Sequence, residues 1–122
     1  LEIKFLGEVT KKQALELECN SDLLVITSKQ EGMSLIVAEA LYFRIPVIST
    51  RTGVALEVIN DGYDGFLFDD KDIPKLSEII RNLVNCPELC KEISENQNGL
   101  YDKYFSFNFY LKEHEKILLK ND

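Results

Sequence analysis

Three short apolar runs, Leu23-Leu24-Val25-Ile26-Thr27, Ile45-Pro46-Val47-Ile48-Ser49 and Phe66-Leu67-Phe68, are separated by stretches of helical spacing. No other property of the chain constrains its fold as tightly. The first run is apolar without alternation, as in a strand covered on both faces, and Pro46 is tolerable only near the start of the second. Strands separated by helices require right-handed crossovers and a mostly parallel sheet. Leu1, Ile3 and Phe5 alternate with Glu2 and Lys4 before Gly7, which predicts a further strand at the start of the chain. The expected class is α/β, with about four parallel strands flanked by helices and additional C-terminal helices.

The helical segments carry their own punctuation. Thr10-Lys11-Lys12-Gln13 fits a capping box opening a helix through about Glu18, and a second helix is expected from about Ser34 to Phe43. Gly53 opens a short helix, Ala55 to Ile59, that ends at Asn60-Asp61-Gly62, and Tyr63-Asp64-Gly65 turns into the Phe66 strand. Asp72 can cap a helix with Pro74 in its first turn, and Leu76, Ile79, Ile80, Leu83 and Val84 share one of its faces. Pro87 starts a helix reaching about Tyr104, and Ser106 or Asn108 starts the last one, with Tyr110, Leu111, Ile117 and Leu118 available for packing.

Residues 1–122 read as a single domain without repeats or a Pro/Gly/Ser-rich linker. A doubly wound domain usually has two βαβαβ halves, and this chain opens on a strand pattern at Leu1 rather than on Met. The expectation is therefore a truncated domain whose missing part precedes Leu1. Hydrophobic residues make up 45% and charged residues 29%, the balance of a globular domain with one core. The net charge of −7, without a run of Lys or Arg, argues against nucleic-acid and anionic-membrane partners. No apolar run approaches the ~20 residues of a membrane span, and the first residues lack a signal-peptide pattern. Cys19, Cys86 and Cys90 form no metal-ligand pattern and are expected as free thiols in a reducing compartment. His114, the only histidine, is assigned a surface or packing role.

Candidate chemistry concentrates in Ser28-Lys29-Gln30-Glu31-Gly32-Met33-Ser34-Leu35-Ile36-Val37-Ala38-Glu39-Ala40. Two carboxylates bracket a glycine turn and an otherwise apolar helix beyond the carboxyl end of a strand, where open α/β sheets place their binding crevice. Backbone N–H groups of Gly32, Met33, Ser34 and Leu35 at a helix N-terminus would receive a phosphate or sugar hydroxyl. Two other readings stand beside this one. Ser28-Lys29-Gln30-Glu31 also fits a capping box, although Gly32 suits a turn better than a continuing first turn. Glu39 could also be a solvated residue at the helix edge beside Ser34 and Tyr42.

The E-x7-E pattern from Glu31 to Glu39, followed by Ala40-Leu41 and Ile45-Pro46-Val47-Ile48, resembles the nucleotide-sugar-binding half of group 1 retaining glycosyltransferases, family-four enzymes of two-domain GT-B architecture. Phe5-Leu6-Gly7, Thr27-Ser28, Thr52-Gly53-Val54 with Glu57-Val58-Ile59, Asp61-Gly62 with Asp64-Gly65-Phe66, and Tyr104-Phe105-Ser106 resemble it in the same order. The resemblance implies a partial Rossmann-like domain, the C-terminal donor-binding half of a transferase whose N-terminal acceptor domain is absent. It assigns Glu31 the catalytic role at the donor sugar, supporting departure of the nucleotide diphosphate. Gly32, Met33, Ser34, Leu35 and Glu39 would bind the donor, Glu39 by accepting hydrogen bonds from the ribose hydroxyls. No metal and no cofactor are implied, because the nucleotide diphosphate sugar is itself the substrate.

Further expectations follow from the same resemblance. The parent would act in polysaccharide or glycolipid biosynthesis, in the cytoplasm or at the cytoplasmic face of a membrane, whereas this chain would bind the donor without catalysing alone. Its partners would be the donor and the missing N-terminal domain, with self-association through the exposed edge of the truncated sheet. Met33-Ser34 stands where the family often has Phe-Gly, and Arg44 where it has glycine. The competing functions are a noncatalytic nucleotide-sugar or protein-binding module of Rossmann-like fold and a dinucleotide enzyme. The second is disfavoured because no G-x-G-x-x-G follows a strand.

Overall fold

A computed structural model describes residues 2–30 and 35–105. Helix α1 (Lys11–Cys19) leads to β1 (Leu24–Ile26), α2 (Leu35–Tyr42), β2 (Val47–Thr50), α3 (Gly53–Val58) and β3 (Phe66–Phe68), followed by α4 (Ile73–Asn85), α5 (Pro87–Asn96) and α6 (Leu100–Phe105). The three strands form one parallel sheet in the order β1-β2-β3. Val47 lies opposite Leu24, and Ile48 sits between Val25 and Phe66. Pro46 stands just before β2, where its missing N–H costs nothing, and its carbonyl accepts from Leu24 N at 3.0 Å.

Alternation along β2 sends side chains to two apolar layers. Val47 joins Ile26, Val37, Leu41, Ala55 and Leu67 under α2, α3 and α6, while Ile48 joins Phe68, Ile79 and Leu83 under α4. The second layer reaches β1 only in part. Val25, on the same face as Ile48, is therefore 39% exposed, so β1 is not covered on both faces as its composition suggested.

The capping box at Thr10 forms as expected: Gln13 N donates to the threonine hydroxyl and Thr10 N to the Gln13 side chain. The Asp72 carboxylate likewise accepts from Lys75 N at 3.1 Å, with Pro74 in the first turn. Three expectations need correction. The described residues form three strands rather than four: residues 2–10 are not a strand, and Ile3 and Phe5 are 70% and 97% exposed. Period-two alternation makes a strand only where a sheet edge and a core receive it, and no described strand pairs with this segment. The helix expected from Pro87 to Tyr104 is two helices, because Gly99 takes a left-handed φ of 85° between them. Val84, assigned to the buried stripe of α4, is 66% exposed, whereas Ile79 and Leu83 are buried. The helix expected from Ser106 or Asn108, and His114, lie outside the described residues.

Candidate functional site

The chain leaves β1 under restraint. Thr50, the last residue of β2, donates its hydroxyl to Ser28 O at 2.6 Å, fixing the backbone just before the E-x7-E segment. Of the predicted site residues, Glu31, Gly32, Met33 and Ser34 lie outside the described residues. Leu35 is the first residue of α2 and is partly exposed, and Glu39 follows one turn later on the same face.

Glu39 is not a solvated helix-edge residue. Its side chain is only 20% exposed, and its Oε1 accepts from Lys11 Nζ at 2.8 Å across the α1–α2 packing. Leu35 and Glu39 share a hollow of about 240 Å³ with Lys11 and Leu15 of α1, Tyr42 of α2 and Tyr101 of α6. Its walls are apolar and aromatic, and Tyr42 meets Tyr101 edge-on with ring centroids 5.1 Å apart. A carboxylate at the rim of such a hollow has the form expected where a few polar groups orient a ligand among apolar walls.

Behind Glu39 lies a residue that sequence reasoning missed. Glu18, two turns after Lys11 on α1, is 7% exposed, and neither carboxylate oxygen meets a hydrogen-bond donor. Its carboxyl lies within hydrogen-bond reach of the Glu39 side chain. Burial first, then the hydrogen bond and charge of Glu39, push its pKa from 4.5 up to about 8, and the Lys11 charge opposes them. Lys11, Leu15 and Glu18 fall on one helical face, so an acidic residue at a core position was the available signal. Lys11 itself was read only as part of the helix start, because its partner is 28 residues away.

At the C-terminal ends of β2 and β3, Arg51 bonds Asp69 at 3.1 Å and Asp61 at 3.2 Å. The Asn60 to Gly65 turn is held by Asp64, which is buried and accepts from Asn60 N and Asn60 Nδ2, each at 2.7 Å. Cys19, Cys86 and Cys90 are free thiols, and burial pushes the Cys90 thiol pKa up. Among the described residues no cluster of three His, Cys, Asp or Glu could hold a metal ion. No described helix is long and apolar enough to cross a membrane.

A parallel three-stranded sheet flanked by helices is a Rossmann-like α/β fold, the fold that GT-B glycosyltransferases share. The chain matches the family of glycosyl transferases group 1 over residues 2–99, and it belongs to that family. It is 31% identical over 102 residues to an uncharacterized glycosyltransferase of Methanocaldococcus jannaschii, covering 84% of this chain and 29% of that protein. It is 27% identical to the capsular polysaccharide biosynthesis glycosyltransferase CapM of Staphylococcus aureus, covering 79% of this chain and 28% of CapM. Among solved structures, Anabaena HepE in complex with UDP superposes with a TM-score of 0.70 at 23% identity, over 84% of this chain and 29% of HepE. The chain thus spans less than a third of the length of these relatives.

Proposed function

We propose that the protein to which this chain belongs transfers a sugar, with retention of configuration, from a nucleotide diphosphate sugar to an acceptor in polysaccharide or glycolipid synthesis. The 122 residues contribute the C-terminal donor site, and an N-terminal acceptor domain completes the cleft. The observation that carries this reading is Glu39, a mostly buried carboxylate at the rim of an apolar hollow, eight positions beyond Glu31 in the E-x7-E segment. Membership of the glycosyl transferases group 1, the capsular polysaccharide relative and the UDP complex of HepE support it.

In this reading Glu39 accepts hydrogen bonds from the two ribose hydroxyls, and two charge-assisted bonds fix the nucleotide. Glu31 orients the donor sugar and stabilises the positive character that develops at the anomeric carbon as its bond to the diphosphate oxygen breaks. The N–H groups of Gly32, Met33, Ser34 and Leu35 take up part of the negative charge that departs with the diphosphate. All three tasks are done by carboxylates and backbone amides.

Calorimetric titration of the full-length protein with a panel of nucleoside diphosphates and their sugars, UDP and UDP-glucose included, tests the assignment. Glu39→Gln should weaken nucleotide binding about tenfold, the scale of one charge-assisted hydrogen bond. Glu31→Gln should spare binding and lower transfer. Unchanged behaviour in both variants would defeat the reading, and sugar transfer by the 122-residue chain alone would contradict the division of labour.

A further inference from the structure

Glu18 has no place in the donor chemistry, and its surroundings set it apart. It is buried, both of its oxygens lack a donor, and its hydrogen-bond neighbour is a second carboxylate. Two carboxylates are both acceptors, so their contact becomes a bond only when one of them carries a proton. Glu39 has one oxygen held by Lys11 at 2.8 Å and the greater exposure, whereas Glu18 is the more deeply buried, and desolvation puts the proton on the more buried group.

We infer that Glu18 is a positioning residue for Glu39: its protonated carboxyl donates a hydrogen bond to the Glu39 carboxylate and, with Lys11, fixes that carboxylate at the rim of the hollow. The inference rests on the donor-site reading of Glu39 and adds a condition to it. Glu39 presents itself correctly to ribose hydroxyls only while Glu18 keeps its proton. On ionisation the bond is lost and two negative charges face each other across α1 and α2, opposed among the described residues by Lys11. The other titratable side chains lining the hollow among the described residues are the phenols of Tyr42 and Tyr101.

The first test needs no ligand. Carbon NMR of the glutamate side-chain carboxyls should show Glu18 titrating near 8 rather than near 4.5, with a matching inflection at Glu39 that disappears in Glu18→Gln. A Glu18 midpoint near 4.5, or a Glu39 resonance indifferent to it, overturns the inference whatever the protein binds. The second test uses UDP as probe. Wild-type affinity should fall about tenfold from pH 6.5 to pH 9. Glu18→Gln, which keeps a donor but cannot ionise, should hold the low-pH affinity throughout, and Glu18→Leu should bind weakly at every pH. Coincident pH profiles for wild type and Glu18→Gln would overturn the positioning role. Failure of the wild type to bind UDP at any pH would count against a UDP donor, and the NMR titration would still decide the role of Glu18.

Discussion

The α4 side of the sheet and the α1–α2 pair treat their interiors in opposite ways. Under α4, Ile48, Phe68, Ile79 and Leu83 form an apolar layer. Between α1 and α2, a buried carboxyl without a donor faces a second carboxylate tied to a lysine. A fold maintained only for stability would place an apolar side chain at position 18, because a buried acid held neutral costs the folded state whenever the unfolded chain would ionise. A buried carboxyl whose oxygens meet no donor, placed beside the hollow, is the kind of departure expected where stability is traded for chemistry.

The sharpest test of the structural side is Leu83→Ala. Leu83 is 1% exposed, and its truncation should cost ~3 kcal/mol in denaturant unfolding. Val84→Ala, one residue along the same helix but exposed, should stay within ~0.5 kcal/mol. Equal losses would mean that α4 does not pack through the face described. The next test sets a satisfied buried carboxylate against an unsatisfied one. Asp64 is as deeply buried as Leu83, yet it accepts two 2.7 Å bonds from Asn60. Asp64→Ala should therefore destabilise by about 2 kcal/mol, because it removes both acceptors of the Asn60 N–H and amide and opens a space at a buried position. A neutral outcome would erase the distinction between this turn and the α1–α2 pair.

These two regions also divide what was legible in the sequence from what was not. Caps and turns are local, so Thr10 with Gln13, and Asp72 with Pro74, could be read directly. The Leu76 to Leu83 periodicity marked the buried face of α4, although the same reasoning put Val84 on it. Arg44, where the resembling family has glycine, takes a left-handed φ of 56°, held by its carbonyl accepting from Ser94 Oγ and its guanidinium donating to Asn98. The departure was visible in the sequence, but its tertiary compensation was not. The strand expected at Leu1 to Phe5 failed for a related reason, since alternation carries no information about whether a partner strand is adjacent. At the candidate site, the E-x7-E spacing singled out Glu39, which the structure places on the hollow. The grouping of Lys11, Glu18 and Tyr101 around it depends on how α1, α2 and α6 cross.

The last test probes the unsatisfied carboxyl directly. The folded-state pKa of Glu18, about 8, lies above its ordinary value of 4.5, so between these values the native protein binds more protons than the unfolded chain. Stability must then fall as pH rises through that window, by at most ~1.4 kcal/mol per pH unit from this group, and level off above pH 8 where both states are ionised. This is the reverse of the usual paired carboxylate, whose contribution is lost as pH falls. Glu18→Gln should remove the slope: variant and wild type converge towards pH 4.5, and the variant becomes progressively the more stable by pH 8. Parallel stability profiles in urea unfolding at pH 5, 6, 7 and 8 would mean that Glu18 ionises normally in the folded protein. The α1–α2 pair would then be as unremarkable as the layer under α4.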